Sequence, residues 1–178
     1  ALENIRKWQW INRMNEKINR MWKYDMLTQV LNRSGFFYCA ETILQKIKEE
    51  KSNAFIIFLD IDGLKSVNDN LGHEIGDENK KKIAGILKEV VPKDCLIMRY
   101  GGDEFVVFGS CKQAGRMQRI AEDIKAAIKT ADQKENRSYH LAASLGCSLH
   151  KSYEMDNLNS LIELADKKMY EEKKNKRR

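Results

Sequence analysis

The sequence predicts an α/β domain in which a mixed, mainly antiparallel central sheet is flanked by helices. Segments with helical periodicity alternate with short apolar runs of strand length. Two of these runs are joined through Gly101-Gly102, as in an antiparallel hairpin. The chain has 178 residues and a single proline, which suits one globular domain with a full core and an appendage. Together these features favour a sheet built from βα units and a hairpin.

The N-terminal segment has the pattern of one amphipathic helix. Apolar residues recur at steps of three and four, with no glycine or proline before Gly35: Ile5, Trp8, Ile11, Met14, Ile18 and Met21. The last four fit the a and d positions of a heptad repeat, over too few heptads to establish a coiled coil. Two interpretations stay open, a helix packed on its own domain and the stalk of a dimer.

The rest of the chain alternates between predicted helices and strands. Helices are expected at about 34–50, 77–91, 117–128 and 158–173, and strands at 54–60, 95–100, 104–109 and 139–149. A tight two-residue hairpin turn requires positive φ angles, which glycine adopts without strain. We therefore expect positive φ at Gly101 and Gly102.

The composition argues against several classes of protein. Of the net charge of +6, much lies in residues 167–178, which hold seven basic and two acidic residues. A basic tail is typical of a solvated helix end, so nucleic acid is not an expected partner. The four cysteines have neither metal-ligand spacing nor a disulfide pattern, which favours reduced thiols in the cytoplasm. No apolar run is long enough to span a bilayer, and the start at Ala1 suggests a cytoplasmic piece of a longer protein, for which a membrane anchor in the missing part stays open.

Four carboxylates lie at predicted strand ends. Asp60 ends an apolar strand and Asp62 follows two positions later, so both should project from one face near its carboxyl end, where α/β sheets bind ligands. Asp103 and Glu104 follow the glycine turn. Such carboxylates can converge on Mg²⁺, which in nucleotidyl transfer activates the attacking oxygen and neutralises the leaving pyrophosphate. Each pair alone is more typical of turn caps and hairpin polar residues, but their combination favours a metal site.

Five motifs identify a family. Residues 99–105, Arg-Tyr-Gly-Gly-Asp-Glu-Phe, reproduce the signature of GGDEF domains, and segments 25–33, 60–69, 72–77 and 165–170 match further motifs in the family's order. The chain therefore resembles a GGDEF domain over residues 24–178, with residues 1–23 as an N-terminal linker or signalling helix.

This resemblance implies a palm-like fold, similar to nucleotide polymerases and adenylyl cyclases, and a diguanylate cyclase that condenses two GTP molecules into cyclic di-GMP. It also implies a homodimer with one GTP in each domain, and an N-terminal sensory or membrane region. A GTP-binding regulatory module without activity is the alternative.

The resemblance also implies roles for individual residues. Asp60, Asp103, Glu104 and the backbone carbonyl of Ile61 would hold Mg²⁺, or Mn²⁺ in its place. Asp103 and Glu104 are the candidate catalytic pair, and which of them helps to deprotonate the attacking 3'-hydroxyl stays open because both tasks use the same residue type.

Substrate contacts follow from the same resemblance. Backbone amides of Gly63, Leu64 and Lys65 would bind the terminal phosphates, as would two basic side chains of the last helix, Lys173 and Arg177. Asn68 and Asp77 match the positions that read guanine, since a carboxylate can accept from the N1 and N2 donors that adenine lacks. The plainer alternatives are a turn amide for Asn68 and a helix N-cap for Asp77.

The chain departs from the family pattern in three places. Gly63-Leu64 replaces two aromatic residues after the metal strand. In the last motif Glu172, Lys176 and Arg178 replace alanine, glycine and asparagine. Many members also carry an inhibitory product site before the signature, where this chain has Pro92 and Cys95 in place of arginine and aspartate. Neither can grip a phosphate as arginine does, and the neighbouring Lys93 and Asp94 would point in opposite directions on an extended segment. We therefore predict no product inhibition at this site.

Overall fold

The computed structural model describes residues 2–113, 115–134, 137–151 and 158–176, and its centre is a four-stranded sheet. The strands are β1 (Asn53–Ile61), β2 (Leu96–Arg99), β3 (Glu104–Cys111) and β4 (Ala143–Lys151), in the spatial order β2-β3-β1-β4. All three ladders are antiparallel, and one parallel bridge joins Leu31 to Met98. The predicted fold class, a mainly antiparallel sheet flanked by helices, is confirmed.

Six helices flank this sheet in the described part of the chain. They are α1 (Leu2–Lys23), α2 (Arg33–Glu49), α3 (Leu64–Leu71), α4 (His73–Val90), α5 (Arg116–Lys134) and α6 (Leu158–Lys176). The short helix α3 was not expected, and α4 begins four residues earlier than predicted. Gly63 and Gly72 adopt positive φ angles of 73° and 92° and separate α3 from β1 and from α4. Gly63 and Gly72 thus flank a short helix, and the segment between β1 and α4 is not an open loop.

The central strand β1 explains why both faces of the sheet are covered. Its residues 54–59 are apolar without interruption and at most 1% exposed. Alternate residues serve opposite faces. Phe55, Ile57 and Leu59 pack in the cluster formed with α4 and α5, whereas Ile56 and Phe58 pack in the cluster formed with α2 and α6. A strand buried on both faces places its carboxyl end, and Asp60 with it, between these two layers.

The close contact between β4 and α6 depends on one glycine. A Cβ atom added at Gly146 would lie 2.0 Å from the carbonyl oxygen of Ala165 and 2.2 Å from the backbone nitrogen of Met169. These partners are backbone atoms of α6, so they cannot turn aside as a side chain can. The absence of a side chain at position 146 therefore sets the distance between α6 and the sheet.

Helix α1 presents its apolar stripe to solvent. All six stripe residues from Ile5 to Met21 are at least 40% exposed. The end of the helix is fixed to the domain: the Trp22 ring meets Tyr38 with 5.3 Å between ring centres, and Asn32 donates a 2.8 Å hydrogen bond to the Trp22 carbonyl. The interpretation that this stripe packs on its own domain is wrong. Across the described residues, α1 and the other helices are too short or too polar to cross a membrane.

Candidate active site

The four residues predicted to hold a metal lie at one end of the sheet. Asp60 on β1 is directly opposite Glu104 on β3, and the Ile61 amide donates a 3.0 Å hydrogen bond to the Asp103 carbonyl. Antiparallel pairing of β1 with β3 produces this meeting, because it brings the carboxyl end of one strand beside the amino end of the other. The predicted residues Asp60, Ile61, Asp103 and Glu104 are thus neighbours.

The carboxylates of this cluster are partly buried and repel one another. Burial, opposed by Lys173 and reinforced by Asp103 and Asp62, gives Asp60 a pKa above its ordinary value. Burial and then the charges of Asp103 and Asp60 raise the pKa of Glu104 as well. The Lys173 ammonium group donates to Asp60 Oδ1 and offsets part of this charge. A divalent cation would relieve the same repulsion.

The donor set suits a hard cation that also binds substrate. In the described ranges, no three histidine, cysteine, aspartate or glutamate side chains are gathered into a metal cage. Mg²⁺ is usually held by one or two carboxylates and substrate phosphates rather than by an all-protein cage. Asp60 and the acid pair on the neighbouring strand fit that requirement.

The hairpin differs from the tight turn predicted for it. Neither Gly101 nor Gly102 adopts a positive φ, so that prediction is wrong. Residues 100–103 separate β2 from β3, and a loop of this length does not demand the left-handed region. A Cβ at Gly101 would instead lie 2.2 Å from Oε2 of Glu104, so a larger residue there would displace this carboxylate.

Arg99 ties this hairpin to the end of the N-terminal helix. Its guanidinium group donates to the carbonyls of Gly101 (3.1 Å) and Gly102 (2.8 Å) and to both carboxylate oxygens of Asp25 (3.1 and 3.2 Å). Asp25 also accepts from the amide and hydroxyl of Thr28 at 2.9 and 2.6 Å. Sequence reasoning placed Asp25 and Arg99 in separate motifs and missed the pair, since 74 positions separate them.

Asp25→Asn is expected to lower stability in a pH-dependent way. The pKa of Asp25 is held below the ordinary 3.8 because hydrogen bonds from Thr28 and Arg99 outweigh the opposing effect of burial. A lowered carboxyl pKa contributes stability that is present above 3.8 and is lost as pH falls through the folded-state value. Urea unfolding of parent and variant at several pH values should therefore show a gap that closes in acid.

The matched control for this measurement is Asp123→Asn, an exposed carboxylate on α5, which should change stability by no more than about 0.5 kcal/mol. A gap between Asp25→Asn and the parent that stayed constant from neutral pH to below 3.8 would contradict the role given to the Asp25 charge.

The predicted phosphate-binding residues lie on two elements. Gly63, Leu64 and Lys65 form the turn from β1 into α3, and the Lys65 side chain is exposed. The first amides of a helix lack intrahelical partners and favour anions. Lys173 on α6 reaches Asp60, so it lies beside the carboxylates. Arg177 falls outside the described residues.

The two predicted guanine contacts lie side by side between α3 and α4. A Cβ added at Gly76 would lie 1.8 Å from Asn68 Oδ1, so the Asn68 amide rests on the backbone next to Asp77. Asn68 Oδ1 is buried without a donor among the described residues. Both plainer alternatives are wrong, because Asn68 lies within helix α3 and Asp77 lies inside α4, whose N-cap is Gly72. A hydrogen bond from Lys80 to Asp77, at 2.7 Å, holds the pKa of this carboxyl below its usual value.

The positions of the family's inhibitory site have a different arrangement. Cys95 is buried, and burial raises the pKa of its thiol to about 11. The neighbouring Asp94 accepts two hydrogen bonds, at 2.6 and 2.7 Å, from Arg116, which also donates to the Ser110 carbonyl at 2.6 Å. Sequence reasoning weighed Asp94 only as a shifted substitute and missed Arg116, which lies on a different element.

Comparison with protein families and curated proteins agrees with the motifs. The family profile described as "Diguanylate cyclase, GGDEF domain" matches residues 22–178. Diguanylate cyclase A of Treponema denticola is 29% identical over 99% of this chain and 48% of its own length. Diguanylate cyclase VdcA of Vibrio cholerae is 31% identical over 92% of this chain and 48% of its own length. A Staphylococcus aureus relative named an uncharacterized membrane protein is 32% identical over 79% of this chain and 38% of its own length. The chain thus spans about half the length, or less, of these relatives.

Solved structures show the same fold. The coiled coil and GGDEF domain of DgcB from Caulobacter crescentus, in complex with c-di-GMP, superposes with a TM-score of 0.85 over 98% of this chain and 92% of that one, at 22% identity. The GGDEF domain of TpbB, also called YfiN, from Pseudomonas aeruginosa has a TM-score of 0.75 over 85% of this chain and 89% of that one, at 28% identity.

Proposed function

Because this chain belongs to the GGDEF domain family of diguanylate cyclases, we propose that it condenses two GTP molecules into cyclic di-GMP and pyrophosphate with Mg²⁺. The observation that carries this proposal is the meeting of Asp60, Asp103 and Glu104 at one end of the sheet. The signature that supplies two of these carboxylates is intact.

Each part of the site has a task in this reaction. The cation would be held by Asp60, the Ile61 carbonyl and the acid pair Asp103 and Glu104. When bound, it activates the 3'-hydroxyl and neutralises the pyrophosphate. One member of the acid pair accepts the hydroxyl proton. Lys173, beside Asp60, contributes positive charge for the phosphates.

Substrate recognition completes the proposal. The amides of Gly63, Leu64 and Lys65 would bind terminal phosphates, with Arg177 as a further contact. Asn68 and Asp77 would read the guanine edge, for which Asp77 offers a carboxylate acceptor. The close packing of Asn68 on Gly76 supports this role, because it places the Asn68 amide against the backbone next to Asp77.

The product contains two nucleotides, so we propose that two copies of the chain act together. Each copy would supply one GTP, and the exposed apolar stripe of α1 gives the helices of two copies a surface to bury. We further propose that the full protein carries an N-terminal sensory or membrane region and that this domain works on the cytoplasmic side. The greater length of the curated relatives supports this, as does the relative named a membrane protein.

Incubation with GTP and Mg²⁺, followed by chromatography of the nucleotides, tests the proposed function. Cyclic di-GMP should accumulate at a rate that rises more steeply than linearly with protein concentration, because turnover needs two copies. Specific activity that stayed constant over a wide dilution series, with a monomer seen by light scattering, would contradict the two-copy arrangement. GTP binding without product would instead support the alternative of an inactive regulatory module, which rests only on the altered residues of the last motif.

Asp77→Ala is expected to weaken GTP binding about 10-fold while leaving ATP binding nearly unchanged. The reason is that only guanine loses hydrogen bonds to a charged acceptor, each contributing about 1.5–3 kcal/mol at most. Calorimetric titration of both nucleotides into parent and variant measures this. Glu78→Ala, an exposed carboxylate on the same helix, is the control. Equal losses for GTP and ATP would remove Asp77 from the guanine site.

The chain is also expected to escape product inhibition at the family's inhibitory site. A proline has no side-chain donor, the Cys95 thiol is buried, and Asp94 is already paired with Arg116. Initial rates with added cyclic di-GMP, together with calorimetric titration of the product, test this. Tight binding of a product dimer near Pro92 with a matching fall in rate would disprove it, whereas weak competition at the GTP site is expected.

A further inference from the structure

The last turn of α6 carries a lysine that reaches the loop between β1 and α3. The Lys176 ammonium group donates to the Ala143 carbonyl at 2.7 Å, to Asp62 Oδ2 at 3.1 Å and to the Ser144 hydroxyl at 3.1 Å. It also lies 3.4 Å from Glu172, one turn earlier on the same helix. One side chain thus joins the C-terminal end of α6 to β4 and to the residue that follows β1.

Asp62 is held on three sides. Its amide donates to the Ala142 carbonyl at 2.9 Å, its Oδ1 accepts from the buried Ser144 hydroxyl at 2.7 Å, and its Oδ2 accepts from Lys176. The Asp62 side chain is 22% exposed and the Lys176 side chain 44% exposed, so the bond from Ser144 is partly shielded from water whereas the bond from Lys176 lies at the surface. Charge-assisted bonds of this kind restrict the side chain more firmly than bonds between neutral groups.

Asp62 lies between two residues with proposed roles in catalysis. Ile61 precedes it and would offer its carbonyl to the cation, and Gly63 follows it in the left-handed conformation that begins the phosphate-binding turn. Neither neighbour can shift far while the Asp62 backbone and both carboxylate oxygens are fixed. The orientation of this turn therefore depends on the contacts of Asp62.

We propose that Lys176 is a positioning residue, which acts through Asp62 to hold the turn at Ile61 and Gly63 in the geometry that receives Mg²⁺ and the GTP phosphates. This inference rests on the proposed function. Lys176 is assigned no contact with substrate, and its effect is indirect. It complements Lys173, one turn earlier, which contacts Asp60 directly.

A second replaced residue supports the role of Lys176. Glu172 accepts from Lys125 at 2.7 Å and from the Leu145 amide at 3.3 Å. These hydrogen bonds outweigh burial and hold the pKa of Glu172 below its ordinary value, so it stays ionised beside Lys176. Glu172 and Lys176 stand where the family has alanine and glycine, and here they form one connected set of contacts. Glu172 and Lys176 therefore support the turn in a way that alanine and glycine at these positions could not.

The neighbouring Lys174 provides a matched control. It lies on a different side of α6, with its ammonium group 4.6 Å from the centre of the exposed Tyr170 ring, and among the described residues it makes no hydrogen bond or ion pair with the turn. Lys174→Met and Lys176→Met remove the same charge from the same helix. Any difference between them reports the contacts of Lys176 rather than the net charge of the tail.

The first measurement uses no substrate. Hydrogen exchange of the Asp62 amide, which is bonded to the Ala142 carbonyl, is followed by NMR and should be about 10-fold faster in Lys176→Met and unchanged in Lys174→Met. Lys176→Gln should behave as Lys176→Met, since an amide cannot replace the ammonium charge, and it serves as a second variant. Unchanged exchange in both Lys176 variants would overturn the proposal.

The second measurement follows Mg²⁺-dependent binding of a non-hydrolysable GTP analogue. Lys176→Met should require about 10-fold more Mg²⁺ for half-saturation, as expected when a supporting contact of a metal site is lost. Combining Lys176→Met with Asp62→Asn should add little to the effect of either change on the Mg²⁺ requirement, because each change alone already breaks the bond between Lys176 and Asp62. Additive effects, or the same Mg²⁺ requirement as the parent, would overturn the proposal. A parent chain that bound no GTP analogue would contradict the proposed function, whereas the amide exchange would still decide the role of Lys176.

Discussion

Asp103→Asn is expected to lower cyclic di-GMP formation by a factor on the order of 100 or more, with Asp60→Asn having a similar effect. Replacing an anionic oxygen by a neutral amide weakens a divalent cation site and leaves phosphate charge uncompensated. Loss of a residue that only supports a metal ligand lowers metal affinity or activity about 10-fold to 100-fold, so loss of a ligand itself should lower them at least as much. Chromatography of the products from purified parent and variants measures the effect.

The folded state should survive these two substitutions. The pKa of Asp60 is raised by burial even with Lys173 beside it, so its charge does not stabilise the fold and a neutral isostere does not remove a net stabilising charge. Thermal unfolding of each variant checks this point. Asp69→Asn, an exposed carboxylate on α3, is the matched control and should retain full activity. Near-normal turnover by Asp60→Asn or Asp103→Asn would defeat the metal assignment.

Gly146→Ala is expected to destabilise the fold by about 1–3 kcal/mol or more, which is the usual range for overpacking. The added methyl group would meet the backbone of α6 at 2.0 Å, so the helix must move away from β4. That movement would also displace Lys173 and Lys176 from the carboxylates at the end of β1. We therefore expect lower stability in urea and weaker nucleotide binding together.

Gly85→Ala gives the opposite expectation and serves as the control. Apart from the neighbouring backbone of α4 itself, no atom of the described residues lies within 4 Å of a Cβ added at this position, and alanine favours helix over glycine by about 0.8–1 kcal/mol. Stability should therefore stay level or rise. A Gly146→Ala protein as stable as the parent would show that α6 can shift without loss, contrary to the close packing described for it.

The parts of the fold that follow from local pattern could be predicted from the sequence. The uninterrupted apolar run predicted a strand at 54–60, and the structure places β1 there, at the centre of the sheet and buried on both faces. The polar helix α3 was missed because its eight residues carry few apolar positions, and only Leu64 and Val67 are buried. Its boundaries depend on the backbone angles of Gly63 and Gly72, which residue type alone does not determine.

In the candidate site, the sequence predicted the residues of the motifs but not the contacts between distant segments. The motifs named Asp60, Asp103 and Glu104, and the antiparallel register brings them together. They did not reveal the pairs Asp25 with Arg99 and Lys176 with Asp62, because such pairs depend on tertiary packing across 74 and 114 positions. Spacing along a chain predicts contacts within a helix or hairpin, but not those that require the complete fold.

The Arg99 guanidinium group has a mechanical consequence for the domain. Asp25 lies two residues beyond the end of α1, and Arg99 connects it through one rigid planar group to the carbonyls of the turn that precedes the acid pair. A rotation of α1 about its own axis would therefore either move this turn or break the ion pair between Arg99 and Asp25. Torque applied at the far end of a 22-residue helix would thus reach Asp103 and Glu104 through a single side chain.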